Sequence, residues 1–203
     1  MLASIHPLGE RSRRQRWSVT FGAFVAGSAA GGALVGSAAG VLGDVAGARV
    51  GASGGAVAWV AVGACVAALV ADAFGSRLPA AFSVRRQVNE DWLGRYRGWV
   101  YGVSFGFQLG AGVLTTVVSA SVYLALALAF LSGSVVAGAL VGLTFGLARA
   151  AVLLSVRGAS SPQSLRAVHR RHAGLAPAGA AGVLVVEVVT ACVAAAVALA
   201  ARA

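Results

Sequence analysis

The sequence predicts an all-α fold, a polytopic transmembrane helical bundle of about five spans packed along glycine stripes. Three observations carry that expectation. Of the 203 residues, 59% are hydrophobic and only 11% are charged, whereas soluble domains carry about 25% charged residues, so a water-facing shell cannot be clothed. Several apolar runs reach about 20 residues or more, the length that crosses a hydrocarbon core of about 30 Å. Glycine recurs every four positions in three of those runs. The mean hydropathy of +0.85 agrees.

The chain divides into a basic tail, 1–17, and a single bundle, 18–203. The tail holds Arg11, Arg13, Arg14 and Arg16, and the first span covers 19–43. A basic front before an apolar run resembles a secretory signal, but a signal core is only about 7–15 residues. More apolar runs follow, so the segment reads as a retained span. The second span covers 54–74. The polar loop 75–98 sets five arginines against Glu90 and Asp91, and the spacing over 82–92 suits a short interfacial helix. Residues 98–131 are then uncharged for 34 positions, about 50 Å of helix. Either one helix projects beyond the bilayer or it breaks near Gly110 and Gly112; one span, 99–131, is expected. A turn at 132–134 leads to a fourth span, 135–156. A polar loop, 157–178, precedes the fifth span, 179–201.

The basic charge is all arginine, 16 residues without a lysine, and its placement sets a topology. The tail carries four arginines, the next loops one, five, none and four, and the C-terminal end one. High and low values alternate, which by the positive-inside rule puts the N-terminus in the cytoplasm and the C-terminus outside. Trp17, Trp92, Tyr96 and Trp99 fall at the cytoplasmic boundary, where interfacial aromatics collect. The expected location is a bacterial inner membrane. The expected partner of the arginines is anionic lipid, not nucleic acid.

The glycine stripes are Gly32, Gly36 and Gly40 in the first span, Gly98, Gly102, Gly106 and Gly110 in the third, and Gly138, Gly142 and Gly146 in the fourth. Four residues are just over one helical turn, so each set forms a flat strip that lets backbones approach. Such strips serve packing inside one bundle, a homo-oligomer, or a membrane protein partner.

Ionisable groups inside spans are costly and mark function by default. Asp72 lies near the cytoplasmic end of span two, within reach of water. Arg149 and Glu187 are each expected roughly 10–12 Å below the cytoplasmic surface, close enough on consecutive spans to form an ion pair. Ser104, Gln108, Gly112, Thr115 and Ser119 form a polar stripe along span three, suited to interhelical bonds or to a hydrophilic path. His6, His169 and His172 lie in solvated segments without carboxylate or thiolate companions. Cys65 and Cys192 sit within apolar runs and show no metal or disulfide spacing. No catalytic constellation can be assembled, so no enzyme, cofactor or metal is expected.

The stretch Phe105-Gly106-Phe107-Gln108-Leu109-Gly110-Ala111-Gly112, with Phe145-Gly146-Leu147-Ala148-Arg149 one span later, resembles the membrane domain of the DsbD/CcdA-type thiol–disulfide transporters. The resemblance covers roughly 98–156. It implies paired three-helix repeats with glycine-rich, broken helices around a central site. That family moves electrons through a cysteine in the first helix of each repeat, commonly beside proline, and this chain has Gly, Gln and Thr where the second would fall. The leading functional expectation is a small transporter or permease-like protein. The alternatives are a non-catalytic scaffold or partner subunit assembling through its glycine stripes, and a degenerate thiol–disulfide conduit.

Overall fold

A computed structural model describes residues 5–51, 53–74, 95–112 and 119–201. Most of the 75–98 loop with its expected interfacial helix, and Thr115 of the polar stripe, lie outside these residues. All regular structure among the described residues is helical: α1 (Pro7–Ser12), α2 (Trp17–Val50), α3 (Gly54–Ala73), α4 (Gly98–Ala111), α5 (Ser121–Leu131), α6 (Val135–Ala151) with a 3-10 extension (Val152–Val156), and α7 (Pro162–Ala200). Helices α2, α3, α6 with its extension, and α7 are each long and apolar enough to cross a membrane. The chain is an all-α membrane protein.

Helix boundaries follow local chemistry. Gly51, in the left-handed region at φ +63°, ends α2. Ser53 then accepts from Ala56 N at 3.3 Å to start α3. Gly133, at φ +53°, makes the turn before α6. Ser161 and Ser164 form a reciprocal capping box with Pro162 in the first turn of α7, satisfying donors the helix cannot satisfy itself. From that start α7 runs unbroken through Pro177 for 39 residues, about 58 Å. The stretch read from sequence as a loop, 157–178, is therefore mostly helix. Its polar composition reflects a helix that outruns the apolar layer, carrying exposed Arg166, Arg170 and Arg171.

Residues 5–17 of the expected basic tail pack onto the bundle. Ile5 is buried against Phe24, Tyr101 and Phe105, and His6 Nδ1 caps α1 by accepting from Gly9 N at 3.1 Å. Glu10 is fully buried. It accepts from Thr20 Oγ1 at 2.6 Å and Tyr101 Oη at 2.5 Å, and pairs with Arg13 at 2.7 Å. One carboxylate thus ties α1 to the first turns of α2 and α4.

Helix α2 is the axis of the bundle, and glycine sets its neighbours' distance. A Cβ added at Gly32 would overlap the Gly142 carbonyl, one at Gly36 the Gly138 carbonyl, and one at Gly40 the Ser134 carbonyl. Partner numbers fall as α2 numbers rise, so α6 runs antiparallel to α2. A Cβ at Gly102, Gly106 or Gly110 would collide with Thr20, Phe24 or Ser28 respectively, and rising numbers make α4 parallel to α2. Gly27 and Gly31 of α2, outside the expected stripe, meet Val103 and Phe107 backbone in the same way. The stripes are spent inside the chain, on α2 against α4 and α6. Without a side chain between them, backbones reach dispersion contact that lipid tails cannot supply.

A second, looser layer is the antiparallel pair α3 and α7, in which Cys65 and Ala68 pack near Ala191 and Ser53 to Gly55 near Ala201. Helix α5 joins this pair to the α2 core. Helices α4 and α5, 14 and 11 residues long, are too short to cross alone (about 21 and 17 Å). Both run parallel to α2, from Thr20 beside Gly102 to Gly43 beside Phe130, so together they make one interrupted crossing. Of the two alternatives for 98–131, one long helix or a break near Gly110 and Gly112, the structure has the break.

Gly32→Leu is expected to lower the apparent melting temperature of the detergent-purified protein, since forced repacking costs about 1–3 kcal/mol or more. Gly63→Leu, at a position with no atom within 4 Å of an added Cβ, is expected to leave it unchanged. Equal effects on thermal unfolding would contradict the α2–α6 contact.

Candidate functional site

The site begins where the third crossing is interrupted. Helix α4 stops at Gly112, whose φ of +71° is left-handed, with its N–H on the Leu109 carbonyl at 3.2 Å. Helix α5 starts after Ser119 and Ala120. Gly110 to Gly112 and Val122 border a small void with Gly32, Gly36 and Gly142, so the interruption lies level with the middle of α2.

Each free end meets a charged side chain from another helix. At the start of α5, Asp72 of α3 accepts from Ala120 N at 2.8 Å and from Ser119 Oγ at 2.5 Å. The carboxylate satisfies a donor that has no partner within the helix and sits at the positive end of the helix dipole. At the end of α4, Arg149 of α6 donates to the Leu109 carbonyl at 2.9 Å. That carbonyl, among the last four of α4, also accepts from Gly112 N, so the guanidinium is its second donor. The guanidinium also lies 5.3 Å from the Phe145 ring centroid, a cation–π contact.

These partners overturn two expectations. Arg149 does not pair with Glu187; its guanidinium is turned to the end of α4, and Glu187 faces α3. Asp72, one residue before the end of α3, lies near a helix end as expected, and its bonds to Ser119 and Ala120 tie that end to the start of α5. The polar stripe of span three does not run as one face. Ser104 donates to Val100 O of its own helix at 3.0 Å, Gln108 is half-buried on α4, Gly112 ends that helix, and Ser119 stands across the interruption.

Glu187 is 1% exposed, and neither carboxyl oxygen has a hydrogen-bond partner among the described residues. Asp72 and Cys65, both on α3, are the ionisable groups that face it. Asp72 makes no hydrogen bond to it, its two oxygens being held by Ser119 and Ala120 at the start of α5. On its other side Glu187 borders a cleft of about 750 Å³ between α5, α6 and α7, whose walls include Ser121, Leu124, Thr144, Phe145 and Thr190. The threonine hydroxyls are spent on their own helices, Thr144 on Leu140 O and Thr190 on Val186 O, each at 2.8 Å. Glu187 is therefore the cleft's unspent polar group.

Glu10, Thr20 and Tyr101 were not singled out from sequence, although Pro7 followed by Glu10 is a helix-start signature. Nothing in the tail's composition marks that carboxylate as buried. Cys65 is buried and Cys192 exposed, both as free thiols. His6 is a buried helix cap, and His169 is exposed on the polar half of α7. Among the described residues no group of His, Cys, Asp and Glu is placed to hold a metal ion.

Asp72→Ala is expected to destabilise the protein by about 1–2 kcal/mol, the worth of a helix N-cap, with Asp72→Asn retaining part of it through its amide oxygen. Thermal unfolding in detergent measures both. An alanine variant as stable as wild type would remove Asp72 from its capping role.

Comparison with protein-family models, with curated proteins and with solved structures gives no match to this chain.

Proposed function

We propose that this protein is a small transporter or permease whose solute passes through the cleft between α5, α6 and α7. The observation that carries the reading is the interrupted third crossing, with charged caps at both ends, placed beside a buried, unpartnered carboxyl on a cleft wall. Irregular backbone at membrane depth is tolerated where protein buries it or a cavity is lined by it. In transporters of known type, half-helix ends commonly surround the binding site. A mostly apolar wall with few polar groups fits a solute that is itself largely apolar.

The layering supports the same reading. The glycine contacts hold α2, α4 and α6 closely together, while α3 joins them through α5 and α7 packs on α3 and on the extension of α6. Movement of the α3–α7 pair against those three helices would open the cleft without breaking the close contacts. A scaffold assembling through its glycine stripes has less support, since the stripes face one another within the chain. For topology, the arginines of the tail, the end of α6 and the first half of α7 lie at one end of the bundle, favouring that end as cytoplasmic with anionic lipid beside it.

In a background with Cys65 and Cys192 replaced by serine, a cysteine at Thr144 is expected to react with a membrane-impermeant maleimide added to sealed vesicles of one orientation. Reaction only with a lipid-soluble maleimide would make the cleft a lipid-filled groove and end the transport reading.

A further inference from the structure

Among the described residues Asp72, Arg149 and Glu187 bring charge-bearing side chains to the apolar part of the bundle, and two already have structural roles. Arg149 completes the end of α4, and Asp72 completes the start of α5. Their charges offset one another across the interruption, so a third charge would stand unbalanced. Glu187 is the remainder, with no donor turned toward it and the Asp72 carboxylate facing it. Two carboxyl groups facing each other in an apolar wall need a proton or a cation between them, because taking a second charge out of water uncompensated is prohibitive.

A metal cation fits poorly. Hard cations such as calcium and magnesium take about six or more oxygens. Here both Asp72 oxygens are held by donors of α5. From α5 and α6 the groups around the cleft are Ser121, Leu124, Thr144 and Phe145, none of them charged. From α3 the remaining ionisable neighbour is Cys65, a buried thiol. A proton needs one acceptor oxygen and no coordination shell.

We infer that Glu187 is a proton-binding site, neutral when the cleft is closed and exchanging its proton when the cleft is wetted. The inference deepens the transport reading by naming the proton as the coupling ion, and it rests on that reading. The bound proton keeps the helix interior at zero net charge. Releasing it leaves two facing carboxylates, which repel; separation of α7 from α3 relieves the repulsion. The same event that empties the site thereby favours an open cleft.

Dicyclohexylcarbodiimide, a small apolar reagent that modifies protonated carboxyls, tests this on the intact protein in detergent or lipid nanodiscs. Mass mapping is expected to place one adduct on Glu187, with labelling falling as pH rises and unchanged when sodium replaces choline. The adduct should persist in Asp72→Asn and vanish in Glu187→Gln, both first checked for monodisperse elution. If Glu187→Gln does not fold, the mapped adduct and its pH dependence in the wild-type chain decide the matter. Labelling on Asp72, protection by sodium, or no pH-dependent labelling of Glu187 would overturn the assignment. Labelling requires no translocation, so its failure and failure of aqueous access at Thr144 are separable results.

Discussion

A helix interrupted inside an apolar medium must find partners for the backbone groups it frees, and that requirement organises this molecule. Water is not available at mid-membrane, and each unsatisfied N–H or C=O there costs several kcal/mol. The interruption between α4 and α5 is tolerated because α3 and α6 each send a charged side chain to it. Asp72 accepts from Ala120 N and Ser119 Oγ, and Arg149 donates to Leu109 O. The signs match the ends, anion at the N-terminal end of α5 and cation at the C-terminal end of α4. The two caps also fix where α3 and α6 stand relative to the third crossing. In this way a local backbone demand becomes a constraint on four helices.

Glycine supplies the complementary constraint. Along α2, backbone meets backbone at Gly32, Gly36 and Gly40 on one side and at Gly27 and Gly31 on the other. Contacts without intervening side chains have no soft element to yield, so α2, α4 and α6 move together or not at all. Helices α3 and α7 are built differently, from alanine and valine, and α7 exposes Val185, Val186, Val189, Val193 and Val197. In a lipid setting those valines meet acyl chains at no cost. The mechanical contrast places flexibility at the seam where the cleft lies. The buried Glu10 pins the opposite end, joining α1, α2 and α4 at the level of Tyr101. Opening near the middle is thus more accessible than fraying at that end.

Much of the fold was legible because hydropathy and glycine spacing are local signals. The run 19–43, the Ser134 turn and the four-residue glycine repeats can be read one segment at a time. What those signals omit is partnership. The repeats in α2 and α6 say that backbones approach something, but not that Gly32 meets Gly142. The same limit explains the misread ion pair. Depths counted from span ends put Arg149 and Glu187 level, yet the count took α7 as starting at 179 and says nothing of which way each side chain turns. An interruption at Gly112 and an extended α7 change what each side chain faces. Asp72 does sit near the end of its helix, but an apolar run cannot tell that another helix offers that carboxylate an N-terminus. Gly110 and Gly112 marked the place where the third span could break, and α4 ends there.

Once the caps are assigned, charge balance determines what is left for Glu187. An intramembrane carboxylic acid with no donor around it is not retained for stability: a glutamine or leucine would pack at similar volume without the ionisation penalty. Asp72 and Arg149 have replaceable but evident structural work; Glu187 has none among the described residues. Its position between a carboxylate on α3 and a cleft on the other side makes its charge state sensitive to one variable, whether water reaches the cleft. A closed cleft admits only the neutral acid, and a wetted cleft admits both forms. The close-packed α2 core cannot respond to that change, whereas the α3–α7 pair, held through α5 and the extension of α6, can. The buried acid is thereby placed on the one seam of the bundle where gaining or losing a proton can be converted into movement.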